Sequence, residues 1–401
     1  MSQTGGQPAA ASDRLSVWCG WVMVGLAGLV PVAGWLAPLT FPVVLALAGI
    51  LCLPALPLTD EDRPAALVLF AALIWAAVST TWSPYHPSKP GNSTILKLAL
   101  QLPLYWAAIS GARRADPRLQ ALALRVLAWG CAVFGLILLC EAATDGAIYS
   151  ALHVVYQPIR PDLAEANLGH SSFVLGLIWP VAAVGAEPRV QPWLALVMAL
   201  GTGAAAAAFS SDAPVIAMFL APLTALAFLR WPRGAPRVLA LVAPLLFLTM
   251  PLIVWSVRRT GDYAAIQHAI PLSWSLRMGY WSHAIDWIGQ SPLRGWGLDA
   301  SRMFGPGIKL HPHNGELQAW MELGVVGAVA AAAFWWVALN RLARPAPSLL
   351  ASAAGASAAV YLLFGTLNFG LWQEWWLAVG ALVVMTVRLN AAQAPADHAT
   401  A

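Results

Sequence analysis

Two histidines and an asparagine stand together in His311-Pro-His-Asn-Gly-Glu316, directly ahead of an apolar run that begins at Leu317. If that run is a helix, its first turn carries free N–H groups and a partial positive charge, which favour a phosphate and disfavour imidazolium. His313 is then held neutral, as a hydrogen-bond acceptor or general base. Asn314 suits both the N-cap and a substrate contact. Gln318 and Glu322 follow one turn apart on one helix face, and a carboxylate inside an apolar run is costly unless paired, so the two read as a buried network supporting the site. Upstream, Arg258, Arg259, Arg277, Arg294, Arg302 and Lys309 all fall within one polar stretch, 258–316. Such guanidinium forks suit a phosphorylated anion. Arg160, and His170 beside Asn167, could line the same cavity, whereas His268, His283 and His311 read as solvated loop residues. No carboxylate cluster suited to a divalent ion stands out, so no metal and no cofactor is expected.

These groups need a scaffold, and the composition specifies its kind. Charged residues are 10% of the chain and hydrophobic ones 59%, far from the roughly 25% and 45–50% of soluble domains. A water-soluble globule is excluded, and no nucleic-acid partner is expected. The 21 tryptophans include Trp18, Trp82, Trp193, Trp231, Trp255 and Trp320 at the edges of apolar runs, as in the aromatic belts of bilayer proteins. The four cysteines, Cys19, Cys52, Cys131 and Cys140, lie inside apolar runs and read as small buried hydrophobes. About twelve runs are long enough to span a bilayer, near 16–36, 39–57, 64–82, 94–111, 119–143, 167–186, 193–210, 215–230, 238–257, 317–339, 348–368 and 374–388. The first is read as a retained span rather than a cleaved signal peptide.

Basic residues recur at alternate connections: Arg63; Arg113, Arg114 and Arg118; Arg189; Arg230, Arg233 and Arg237; Arg341 and Arg344; Arg388. Lys and Arg mark cytoplasmic loops, so both termini are expected inside and the segment 258–316 outside. The chain divides into spans one to nine (1–257), the outer loop (258–316), spans ten to twelve (317–390) and a polar tail (391–401). Within the loop, Leu276, Tyr280, Ala284 and Trp287 recur at helical spacing and predict an amphipathic helix in the interface. Ser291-Pro-Leu-Arg-Gly-Trp-Gly297 ends it with turn residues, and Gly324 and Gly327 are most simply close-packing positions.

Arg277 and Trp281, then Ser291-Pro-Leu-Arg-Gly-Trp-Gly-Leu298, then His313-Asn314 with Leu317-Gln318, Glu322-Leu-Gly324 and Gly327 resemble the signature region of the O-antigen ligase and O-antigen polymerase family. That resemblance implies an all-α, GT-C-like membrane fold with the large periplasmic loop between the ninth and tenth spans. It implies a metal-independent, inverting glycosyltransferase of the bacterial inner membrane, taking a glycan from undecaprenyl diphosphate and passing it to an acceptor glycan such as lipid A core, among membrane lipids. The family's essential Arg and His fall on Arg277 and His313. Arg160, Arg258, Arg259, Asn314, Gln318, Glu322, Trp281 and His170 are the substrate-binding candidates beside them. The family commonly has an Arg in a short turn between two earlier spans, and here Phe209-Ser-Ser-Asp-Ala-Pro214 places Asp212 there. The departure implies a compensating cation from Arg160, Arg258 or Arg259, a different acceptor, or loss of activity. Ligation and repeat-unit polymerisation share these motifs. A lipid-linked glycan flippase is the rival of another class, and it would place charges near the midplane of several spans.

Overall fold

The computed structural model describes residues 8–391 apart from 58, 157, 158 and 306. Every one of the twelve apolar runs contains a helix, and no strand occurs among the described residues. In chain order the helices are α1 (Pro8–Leu36), α2 (Phe41–Leu51), α3 (Arg63–Ser79), α4 (Thr94–Arg114), α5 (Pro117–Ala143), α6 (Ala147–Tyr156), α7 (Pro161–Val184), α8 (Gln191–Ala208), α9 (Asp212–Arg230), α10 (Gly234–Arg259), α11 (Tyr263–Ala269), α12 (Leu272–Gln290), α13 (Gly315–Asn340), α14 (Leu349–Leu367) and α15 (Glu374–Ala391). Nine of the described helices are long and apolar enough to cross a membrane: α1, α4, α5, α7, α8, α9, α10, α13 and α14. The chain is an all-α, multi-pass membrane protein. The runs at α2 and α3 give shorter apolar helices, and α6 and α11 are short helices that the apolar periodicity does not announce.

Helix starts follow local chemistry. Asp116 caps α5 by accepting from the N–H of Arg118 and Leu119, with Pro117 at the first helical position, and Ser348 caps α14 through the N–H of Ala351. α7 is the most enclosed span; α1 packs on α5, α5 on α8, and α9 on α14. Trp18, Trp193, Trp231 and Trp255 face outward, as a lipid-interface belt requires, while the indole of Trp320 turns in and donates to the carbonyl of Phe247 at 2.6 Å. Cys19, Cys52 and Cys131 are buried, but Cys140 is exposed on the outer face of α5, so the expectation of four buried thiols is corrected at that position.

The connections segregate to two ends of the bundle. At one end the buried Asp62 gathers Arg113 at 2.5 Å, Arg388 at 3.2 Å and Arg341 at 3.9 Å, tying together α3, α4, α13 and α15. At the other end the stretch 258–316 meets the α9 start and the 368–374 turn. That polar stretch is built on α12, which appears where the helical spacing placed it. Its buried face, however, is Met278, Ala284, Ile285 and Ile288; Leu276 is 48% exposed. The difference arises because α12 packs against α10 and α13, which selects the stripe rotated toward those helices.

The chain after α12 is locked to α13 backbone to backbone. α13 breaks at Gly324, whose φ of 66° and ψ of −161° are non-helical, and the break frees carbonyls of the preceding turn. The loop occupies them. Trp296 N–H donates to Met321 O at 2.9 Å and Gly297 N–H to Glu322 O at 2.7 Å. The Trp75 indole from α3 donates to Leu323 O at 2.9 Å. In return Val325 N–H reaches Pro292 O at 2.9 Å. The crossing leaves no room for a side chain. A Cβ on Gly295 (φ 69°) would sit 2.4 Å from Glu322 O, and one on Gly324 would sit 2.3 Å from Leu293 O. Gly324 therefore does more than pack closely: only glycine fits both the left-handed φ and the contact.

Candidate active site

The pieces of this second end of the bundle converge on His313. The segment before α13 is tight, and His313 itself has φ 53°, an uncommon value for a residue with a side chain and one found at functional sites. Asn314 then caps α13, accepting from Leu317 N–H at 2.8 Å while its amide donates to Thr366 O at 3.0 Å. Both ends of that side chain are engaged by the protein, which places Asn314 as a helix cap. The His313 ring lies near-parallel to Tyr280 of α12, centroids 5.8 Å apart, and beside the His311 ring at 4.2 Å.

The protonation pattern follows from the partners. His313 Nδ1 lies 2.9 Å from the backbone carbonyl of Asn368; a carbonyl can only accept, so Nδ1 carries the hydrogen and Nε2 keeps its lone pair. Burial pushes the pKa of this imidazole below its ordinary value; the Asn368 carbonyl opposes that shift, and the charge of Arg277 adds to it. His313 is thus a neutral imidazole with Nε2 free to accept a proton. Asn368 also reaches Arg277: with the amide oxygen turned toward the guanidinium, Nη2 donates to it at 3.0 Å and the amide N–H₂ donates to Leu367 O at 3.3 Å. One residue, which the motif does not include, joins His313 to Arg277.

Arg277 stacks over the Trp274 ring at 5.1 Å, and the Trp274 indole donates to Asp212 Oδ2 at 2.6 Å. Burial lowers the basicity of Arg277, and the Asp212 carboxylate offsets part of this. Asp212 is therefore a neighbour of the Arg277 stack. Asp212, Trp274, Met278 and Trp281 line an open cavity of about 380 Å³. The Trp281 indole donates to Pro312 O at 3.0 Å, fixing the residue between the two histidines.

His311 departs from the solvated reading: it is 9% exposed. Its Nδ1 accepts the His313 N–H at 3.1 Å, and its Nε2 lies 3.1 Å from the Gln373 amide nitrogen. Burial, then the neighbouring His313 and Arg302, push its pKa down to about 3. Turns 366–374 close over it, which its proline-flanked position does not foretell.

Gln318 and Glu322 form the network their spacing suggests. Glu322 is fully buried. Its Oε1 accepts from Ser301 Oγ at 2.6 Å and Gln318 Nε2 at 3.0 Å, and its Oε2 from Asp299 N–H at 3.0 Å and the Trp372 indole at 2.7 Å. Gln318 Oε1 accepts Leu371 N–H at 2.8 Å. These contacts bind the polar stretch and the 370–373 turn to α13, and Glu322 has no lone-pair direction left for a ligand.

The remaining candidates sit further out. Arg258 holds α12 through Asp286 Oδ1 at 2.8 Å and Ser282 Oγ at 3.2 Å. Arg259 lies over Trp255 at 4.5 Å. Arg160 is exposed and forks onto Asp162 at 2.5 and 3.0 Å. His170 bonds Ala166 O at 2.6 Å and meets Trp375 edge-on at 5.2 Å. None of these four shares a hydrogen bond with His313 or Arg277. Among the described residues no group of three or more His, Cys, Asp or Glu converges as a metal-ligand set.

Residues 193–332 match the family model described as O-Antigen ligase. A Rickettsia conorii protein provisionally named a polysaccharide ligase is 24% identical over 127 residues, 28% of this chain and 31% of that protein. A Rickettsia felis protein of the same provisional name matches to the same extent, and one from Rickettsia bellii is 27% identical over 82 residues, 20% of each chain. The alignments thus span about a third or less of the length of these relatives. No solved structure matches the chain.

Proposed function

Starting from an O-antigen ligase segment at residues 193–332, we propose that this chain is a ligase-like glycosyltransferase of the bacterial inner membrane. It moves a glycan from undecaprenyl diphosphate to a sugar hydroxyl, such as one on lipid A core, at the outer face. The observation that supports this best is the arrangement about Asn368: its carbonyl holds Nδ1–H of His313 at 2.9 Å, and its side chain, with the amide oxygen turned toward the guanidinium, meets Arg277 at 3.0 Å. A base with a free Nε2 and a cation for a leaving diphosphate are thereby kept in fixed relation.

In this reading the acceptor hydroxyl passes its proton to His313 Nε2 as its oxygen bonds to the anomeric carbon. The bond from that carbon to the phosphate oxygen breaks on the opposite side, and its electron pair leaves with undecaprenyl diphosphate. The anomeric centre is inverted. Arg277 stabilises the charge that develops on the diphosphate, and the proton on His313 is released to solvent. With the charge met by a guanidinium, the reaction runs without a metal. The end that carries Arg113, Arg341 and Arg388 faces the cytoplasm, together with both termini, by the distribution of basic residues.

The test is transfer by purified protein from a lipid-linked donor to candidate acceptors, scored for product length, with two variants compared. His313→Ala lowers single-turnover transfer by about two to four orders of magnitude, the usual share of general acid–base catalysis, and leaves donor binding nearly intact. Arg277→Lys keeps the charge but loses the bidentate fork and weakens donor binding. Near-normal transfer by His313→Ala removes that residue as the base, and unchanged donor affinity in Arg277→Lys moves the diphosphate site elsewhere.

A further inference from the structure

A second cavity, of about 320 Å³, opens on the other side of the His311 segment, between that segment, the starts of α4 and α15 and the 370–373 turn. Its lining differs in kind from the Arg277 side. Both of its cations are already neutralised: Lys97 by Glu374 at 2.6 Å and Arg302 by Asp299 at 3.0 Å. Glu374 is further held by the Gln101 amide at 2.9 Å. A diphosphate entering here would face a carboxylate beside every cation, and would have to break those pairs to gain one. The uncharged part of the lining includes two indoles, Trp372 and Trp375, the hydroxyls of Thr94 and Ser301, and the amides of Gln318 and Gln373. One end of the Gln373 amide lies 3.1 Å from His311 Nε2, and its other end is buried without a protein partner. Such an atom is costly to leave unmade.

Paired carboxylates and amides that can accept and donate, beside two indoles, are matched by a ring with several hydroxyls and apolar C–H faces, which is the chemistry of an uncharged sugar. We propose that this second cavity is the acceptor subsite, and that it takes a neutral sugar ring of the acceptor glycan, with the diphosphate of the donor confined to the Arg277 side. The assignment rests on the transferase reading for the word acceptor, and on the cavity alone for the word sugar. It gives the two histidines separate positions: His311 forms part of the wall of the sugar cavity, and His313, its ring beside that of His311, shares Asn368 with Arg277.

Binding can be read without turnover. The full chain is reconstituted in lipid nanodiscs, free of glycoside detergent. Neutral methyl glycosides of hexoses and heptoses are followed by saturation-transfer NMR, and inorganic pyrophosphate by phosphorus line broadening. Leu310, 58% exposed at the cavity mouth, is changed in Leu310→Trp to fill it, and Gln373→Ala removes the amide from a different element. At least one glycoside gives saturation transfer in the wild type, reduced fivefold or more in both variants and unchanged in Arg277→Lys. Pyrophosphate broadening follows the reverse order. No glycoside signal in the wild type, or a signal indifferent to both cavity variants, overturns the proposal, as does pyrophosphate displaced by Leu310→Trp but not by Arg277→Lys. Melting temperatures near that of the wild type identify the variants that are folded, and the two lie on separate elements, so one suffices. Glycoside binding of this pattern in a protein that transfers nothing sinks the transferase reading and leaves the sugar cavity standing.

Discussion

Glu322 offers the sharpest quantitative test of how the stretch 258–316 is held to α13. Its two oxygens accept four hydrogen bonds, from Ser301, Gln318, Asp299 N–H and Trp372, and the side chain is fully buried. In Glu322→Gln one oxygen becomes an N–H₂ group. Turned toward Asp299 and Trp372 it would face two groups that can only donate; turned toward Ser301 and Gln318 it does better. Ser301 can keep its proton on Leu310 O, at 3.0 Å, and accept from the amide, so only the Gln318 N–H loses its acceptor. One buried donor left unpaired costs about 1–3 kcal/mol, a roughly 5- to 150-fold fall in the ratio of docked to undocked loop. In Glu322→Ala three donors lose their acceptor, for about 3–9 kcal/mol by the same scale. Limited trypsin digestion at the exposed Arg302 and Lys309, with melting measured in parallel, should rank the proteins wild type, Gln, Ala. Transfer should fall in the same order, because the undocked loop carries His313 away from Asn368. Equal protease protection in wild type and Glu322→Ala would refute this account of loop anchoring.

Three further outcomes follow from the site. Because burial, with Arg277 adding to it, holds the His313 pKa below its ordinary 6.5, the base is present above that lowered pKa and lost as pH falls through it. The acid limb of the rate profile should therefore have its midpoint below 6.5 and vanish in His313→Ala; a midpoint above 6.5 contradicts the assignment. If Arg277 meets the diphosphate charge as proposed, transfer should persist in excess chelator; loss that magnesium or manganese restores would overturn the metal-free mechanism. In a Cys140→Ser background, Lys309→Cys should react with a membrane-impermeant maleimide added to spheroplasts and Gly234→Cys should not; the opposite pattern inverts the topology.

Much of the scaffold was legible because bilayer thickness is a local constraint: it demands runs of a given length, and each run from 16–36 to 374–388 carries a helix. The α12 helix was legible for a similar reason, although which stripe it buries depends on α10 and α13 and shifted away from Leu276. The site was legible only in part. His313, Arg277, Gln318 and Glu322 carry local signals, but Asn368 lies 55 residues from His313 and acts partly through a carbonyl that every residue possesses. The burial of His311 depends likewise on a turn 62 residues away. Gly295 and Gly324 each look like an ordinary turn or packing glycine until the two backbones are seen to cross.

That crossing has a consequence for biogenesis. The carbonyls opened by the break in α13 are answered by Trp296, Gly297 and Trp75, and hydrocarbon offers them no substitute. A ribosome delivers 258–316 before α13, so, in the proposed orientation, the stretch has already crossed the membrane when the broken helix arrives and needs its donors. α13 inserted without that stretch, or with it held back by a bulky residue at Gly295, would meet the lipid with open carbonyls. Quality-control proteases that patrol the membrane would then see a defective span, and the visible phenotype of a substitution in this outer turn would be loss of the whole protein from the membrane.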